Sequence, residues 1–132
     1  MALILTFNIL DSSKKTAIRL TALRFGIPIR EISPEAQSLS IEELLRTDAY
    51  PPAGTVPADA FTDEMLLLHA LPQASFHALL DTLRREGQSV RLKAVVTDHN
   101  RSWTPVRLHR ELLAEEKAMA ELRRSRHGEK KR

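Results

Sequence analysis

The chain has 132 residues, of which 28% are charged, and no cysteine. That length suits one domain with one core, and the missing thiols exclude disulfides, thiolate nucleophiles and Cys-ligated zinc or iron–sulfur clusters. The formal charge of +3 is concentrated at the end: residues 121–132 hold six Lys/Arg against two Glu, which leaves the rest of the chain near neutral.

The opening run, MALILTFNILDSSKK, has no basic stretch before its apolar residues and no cleavage-like signal after them. It is also too short to span a bilayer. A cytoplasmic protein without membrane contact is the expectation. Residues 3–9 are almost continuously apolar, as in a strand covered on both faces. Asp11, Ser12 and Ser13 can cap a first helix, with Ala17, Ile18, Leu20 and Leu23 as its apolar stripe and Gly26 as its stop. Ile27, Ile29 and Ile32 fit a second strand, with Pro28 at its start.

Ser40 and Glu43 have capping-box spacing before the short helix 41–46. Residues 47–60 hold three of the seven prolines and read as an extended loop. Residues 65–68 form a third strand, and Pro72 opens a helix in which Phe76, Leu79, Leu80 and Leu83 share a face, ended by Gly87. Residues 90–96 are a fourth strand. Thr104-Pro105 starts a last helix that carries Leu108, Leu112, Met119 and Leu122 and frays beyond Arg123.

Residues 4–32 and 65–96 repeat one order: strand, turn, helix, glycine, strand. Asn8 falls opposite His69, and Gly26 opposite Gly87. Two βαβ-like units favour an α+β ferredoxin-like sandwich with an additional C-terminal helix. The alternative is a small three-layer α/β fold with a mostly parallel four-stranded sheet, in which helix 41–46 serves as a crossover. Either way, residues 1–120 make one domain, and 121–132 form a basic, frayed or disordered tail.

The segment Phe61–Glu116 resembles DUF3783, a family of small bacterial proteins of unknown function. Glu64–Leu68, the Phe76–Leu83 helix and the run LKAVVTDHNRSW at 92–103 carry the resemblance. Lys93, Ala94, Val95, Thr97, Asn100 and Trp103 stand at the family's places, followed by Leu108, Glu111-Leu112 and Glu115-Glu116. The turn Leu71-Pro72-Gln73-Ala74 departs from the acidic, capped turn of that pattern. The resemblance implies a fold unit and a place for a site, and no chemistry.

That place is the candidate binding set Lys93, Thr97, Asp98, His99, Asn100 and Trp103. Polar groups between a strand's carboxyl end and a helix N-terminus commonly form sites for anions or partners. The same residues also suit a plain turn, with Asp98 and Asn100 bonding their own backbone and Trp103 closing the core. No catalytic constellation, metal-ligand spacing, GxGxxG or P-loop is present, so no catalytic residue, metal or cofactor is assigned. A non-enzymatic module that binds a protein partner or small anion through residues 97–103 is the expected function. The alternatives are weak nucleic-acid association through residues 121–132 and an enzyme using His99 with Lys93. The last helix also suggests a homodimer.

Overall fold

The structure is a computed structural model that describes residues 1–46 and 56–130, with side chains as far as Arg126. Residues 47–55 of the proline-rich loop and 131–132 of the basic end lie outside the described residues. In chain order the elements are β1 (Leu3–Phe7), α1 (Ser12–Arg24), β2 (Ile29–Ile32), a 3-10 helix (Pro34–Ser38) and α2 (Ile41–Arg46). Then follow β3 (Met65–His69), α3 (Gln73–Arg85), β4 (Leu92–Val95) and α4 (Pro105–Lys130). The last helix thus continues through most of the basic segment. No helix among the described residues is long and apolar enough to cross a membrane.

The four strands form one open mixed sheet in the order β2-β1-β3-β4. Each βαβ unit pairs its own strands in parallel, Ile4 with Ile29 in the first and Met65 with Leu92 in the second. The units join through β1 and β3, which run antiparallel with Leu5 opposite Leu67. The α+β character, the two βαβ units and the C-terminal helix expected from the sequence are all present, and the units lie side by side rather than interleaved. The carboxyl ends of β3 and β4 therefore open at one end of the sheet, and those of β1 and β2 at the other.

Both faces of the sheet are covered, so β1 and β3 are buried along nearly their whole length. Strand alternation divides their side chains between two cores. Leu3, Leu5, Phe7, Met65 and Leu67 pack with Ile41, Leu44, Val106 and Leu108 from α2 and α4. On the opposite face, Ile4, Leu66 and Leu68 pack with Ile18, Ala22, Leu79 and Leu83 from α1 and α3. The third layer belongs to the alternative sequence reading. Each fully buried Leu or Ile contributes about 1.5–3 kcal/mol, so the double-sided sheet is the main apolar store of the fold.

The inner face of α1 differs from the expected stripe. Ala17, Ile18, Thr21 and Ala22 are buried, whereas Leu20 and Leu23 are 62% and 76% exposed. Small residues let α1 lie close to the sheet and to α3, and the Thr21 hydroxyl satisfies itself by donating to the Ala17 carbonyl at 2.8 Å. Hydrophobicity alone pointed to the larger leucines. The expected caps are present. The Asp11 carboxylate accepts from the Lys14 amide at 3.3 Å, and Ser40 and Glu43 close a reciprocal box on α2 at 3.1 and 3.2 Å.

The repeat extends to backbone geometry. Asn8 (φ 58°) and Ala70 (φ 55°) both turn the chain from the first strand of a unit toward its helix, and Gly26 (φ 67°) and Gly87 (φ 69°) both end that helix. Left-handed backbone is easy for glycine and tolerable for asparagine, and it costs alanine about 1–2 kcal/mol. Asn8 also has work to do there. Its amide donates to the carbonyls of Phe61 and Asp63, each at 3.0 Å.

Phe61 is the point where the chain returns to the sheet. The Gln37 side chain, 1% exposed, accepts from the Phe61 amide at 2.9 Å and donates to its carbonyl at 3.2 Å. The Phe61 ring stacks on His109 of α4 at 4.3 Å and leans on Phe7 of β1. Asp63 then meets His109 Nε2 at 2.8 Å, while Glu64 pairs with Lys14 at 2.8 Å.

Two substitutions test this account. Gln37→Ala leaves the buried Phe61 amide without its partner, while the carbonyl keeps Asn8, and is expected to cost about 1–3 kcal/mol in a urea unfolding series. Ala70 is exposed, so Ala70→Gly relieves the turn with no packing loss. After allowing for the greater chain entropy of glycine, it should stabilise the fold by about 0.5–1 kcal/mol, read as a higher urea midpoint.

Candidate functional site

Of the six candidate residues, five lie in the loop that leaves β4. Asn100 organises it. This side chain is 7% exposed. Its carbonyl oxygen accepts from the Thr97 amide at 2.9 Å, and its amide group donates to the Val95 carbonyl at 3.0 Å. The Thr97 hydroxyl accepts from the Asn100 amide at 3.2 Å. A side-chain amide presents a donor and an acceptor side by side without charge, and the short chain of asparagine fits this closed turn.

The loop also reaches α2. The carbonyls of Trp103 and Arg101 accept from the amides of Ile41 and Glu42 at 2.8 and 3.0 Å. With the Ser40 hydroxyl on the Glu43 amide, the first donors of α2 are all occupied. The loop is therefore a structural joint between β4, α4 and α2. Its spacing signals a helix cap for α4, which is present as the Thr104 hydroxyl accepts from the Arg107 amide at 3.2 Å. Nothing in the sequence signals the contact with α2, because it depends on tertiary placement.

Trp103 is half-buried, with the His99 ring edge-on at 5.2 Å and the Arg107 guanidinium 4.3 Å from its ring centre. Asp98 and His99 are exposed. Lys93 stands apart. It projects from the α3 side of β4, donates to the Val90 carbonyl at 2.9 Å, and lines an open cleft of about 550 Å³ with His77, Asp81, Arg84 and Ser89. His99 does not line that cleft. Strand alternation had placed Lys93 correctly on the sheet, but it had not separated it from the loop.

Two residues outside the candidate set give this end of the sheet its electrostatic character. Because β3 and β4 are parallel neighbours, His69 at the end of β3 stands beside the β4 loop. Its pKa is lowered below 6.5 by burial first, then by the positive charges of Arg101 and the Met1 amino group. Arg101 is partly buried. Its Nε is fully enclosed and without a hydrogen-bond partner among the described residues, and no carboxylate there pairs with its guanidinium. Its cost is that of an unmet buried donor. The sequence names Arg101 within the run 92–103, but one arginine among many carries no sign of being unpaired.

The turn before α3 fits this picture. Pro72 caps the helix with no side-chain hydrogen bond, as the departure at Leu71-Pro72 implied. At the opposite end of the sheet, Thr6, Asn8, Lys15, Glu31 and Ser33 border a smaller cleft of about 280 Å³. Lys15 there already meets Glu31 at 3.7 Å. Among the described residues, no three His, Asp or Glu side chains come together as a metal site. Both sheet faces are covered, so no open face offers a platform for stacking bases.

No curated protein and no solved structure matches the chain. A family model does match, over the second βαβ unit and the first half of α4: residues 64–119 match DUF3783, a domain of unknown function, as the Lys93–Trp103 run suggested.

Proposed function

We propose that this protein is a non-enzymatic binding module that receives an anionic group at the carboxyl ends of β3 and β4. The observation that carries the reading is Arg101, whose enclosed Nε has no partner among the described residues. A guanidinium offers five donors in a planar fork that fits a carboxylate or a phosphate. His69 adds a second group that an anion would convert from a cost into a partner. Burial and the Arg101 charge keep it neutral, and a bound negative charge would favour the imidazolium. The 97–103 loop serves as the rigid mount. Asn100 locks its backbone, and its ties to α2 fix where Arg101 emerges.

The ligand chemistry has two sources, a free anion or an acidic side chain of a protein partner. Amide spectra of the labelled protein, titrated separately with inorganic phosphate, acetate and a Glu-rich peptide, separate them. Saturable shifts at His69 and residues 97–104 are expected, and Arg101→Gln should abolish them while leaving the rest of the spectrum unchanged. Tighter binding of the peptide than of either free ion would assign the site to a protein partner. Equal shifts in the Arg101→Gln protein, or none in the wild type, would sink the reading. A response to an RNA oligonucleotide confined to residues 121–132 would transfer function to the basic end of the chain.

His69 supplies a pH test. Its pKa in the fold lies below its ordinary value of 6.5, so the unfolded chain takes up a proton that the folded chain resists. The stability difference is fully present above 6.5 and is lost as pH falls from there toward the lowered value. Urea unfolding at pH 7.5 and pH 5 should show wild type losing stability relative to His69→Gln. Addition of a binding anion at pH 5 should restore part of that loss.

A further inference from the structure

The distal half of α4 has no place in either core. The helix is 26 residues long, about 39 Å at 1.5 Å per residue, and only its first turns pack on the sheet. Leu108 is buried and Leu112 and Leu113 lie against the core, but residues 114–126 are all exposed. Met119 and Leu122 are 53% and 46% exposed. An unsupported helical extension of this length is marginal in water.

Its exposed face is patterned. Glu115, Met119, Leu122 and Arg126 follow each other at steps of four, three and four, the spacing of a seam between two helices. Two apolar positions lie at the centre, with an acid on the near side and a base on the far side. Glu116, next to this seam, is already held by Arg91 at 3.3 Å and does not compete.

We infer that this face pairs with the same face of a second copy of the chain, in antiparallel register. In that register Met119 packs against Leu122 of the second copy, and Glu115 stands opposite Arg126 of the second copy, each contact occurring twice. A parallel pair would instead oppose Glu115 to Glu115 and Arg126 to Arg126. The charges therefore select both the partner and its direction. The apolar core of the seam is short, so the dimer is concentration-dependent rather than obligate. It also holds the anion-receiving ends of the two copies apart, at the outer ends of the paired helices.

Light scattering on the full chain across a concentration series tests this, with circular dichroism to confirm folding. Wild type should pass from monomer to dimer, and Met119→Glu with Leu122→Glu should stay monomeric. Glu115→Arg alone and Arg126→Glu alone should each weaken the dimer roughly tenfold or more, since each sets like charges face to face. The two together should restore it. A wild type that stays monomeric at every concentration overturns the inference. So does a dimer that is indifferent to the single charge changes, or one that the double change fails to rescue. Because Arg101 plays no part in the seam, Arg101→Gln should dimerise as wild type, which keeps this test separate from that of anion binding.

Discussion

The chain returns to its sheet at Phe61, and two side-chain amides hold it there. Gln37 grips the Phe61 peptide on both its donor and its acceptor, and Asn8 takes the Phe61 and Asp63 carbonyls. Everything that follows in the chain depends on that placement. It sets the register in which β3 meets β1, with Phe7 opposite Met65. A slip of one residue would turn Leu66 and Leu68 to the wrong core. The ring of the same residue bears on His109, so the entry to β3 also fixes where α4 crosses the sheet.

Around that anchor the molecule is two similar units side by side, joined antiparallel through β1 and β3. Each has a left-handed residue after its first strand and a left-handed glycine after its helix. The units diverge where they meet other parts of the chain. Asn8 earns its unusual backbone by binding the returning segment, whereas exposed Ala70 bears the same geometry with no compensating contact. Beyond the second unit, the loop after β4 is drawn into capping α2. That gives the otherwise short α2 a fixed end and joins the two units on the α4 side of the sheet.

In the proposed reading, this joint lets one loop be both structural and a place of recognition. Asn100 spends its hydrogen bonds within the turn, and the turn spends its carbonyls on α2. What remains outward is His99 and the Arg107–Trp103 stack, with the partly buried Arg101 and His69 alongside. An enclosed guanidinium nitrogen with no partner among the described residues is costly on its own, and in the proposed reading a negative partner offsets that cost. The distal helix follows the same logic with apolar rather than charged surface.

Much of this was legible from local chemistry. The strand LILTF announces burial on both faces because it lacks polar alternation, and Ser40 with Glu43, Asp11 and Thr104 announce helix starts because capping is settled within four residues. The repeat of strand, helix and glycine was visible for the same reason. Other features rest on contacts between residues far apart in the chain. These are the antiparallel joining of the two units, the burial of Ala17 and Ala22 in place of Leu20 and Leu23, the Gln37–Phe61 clamp, and the separation of Lys93 from the loop it nearly adjoins. By itself the sequence determined the elements and their ends, since those depend on neighbours within a turn of chain. Only the tertiary structure decided which arginine encloses a donor that meets no partner among the described residues, and which helix face is left exposed, because an unmet group is defined by everything that fails to reach it.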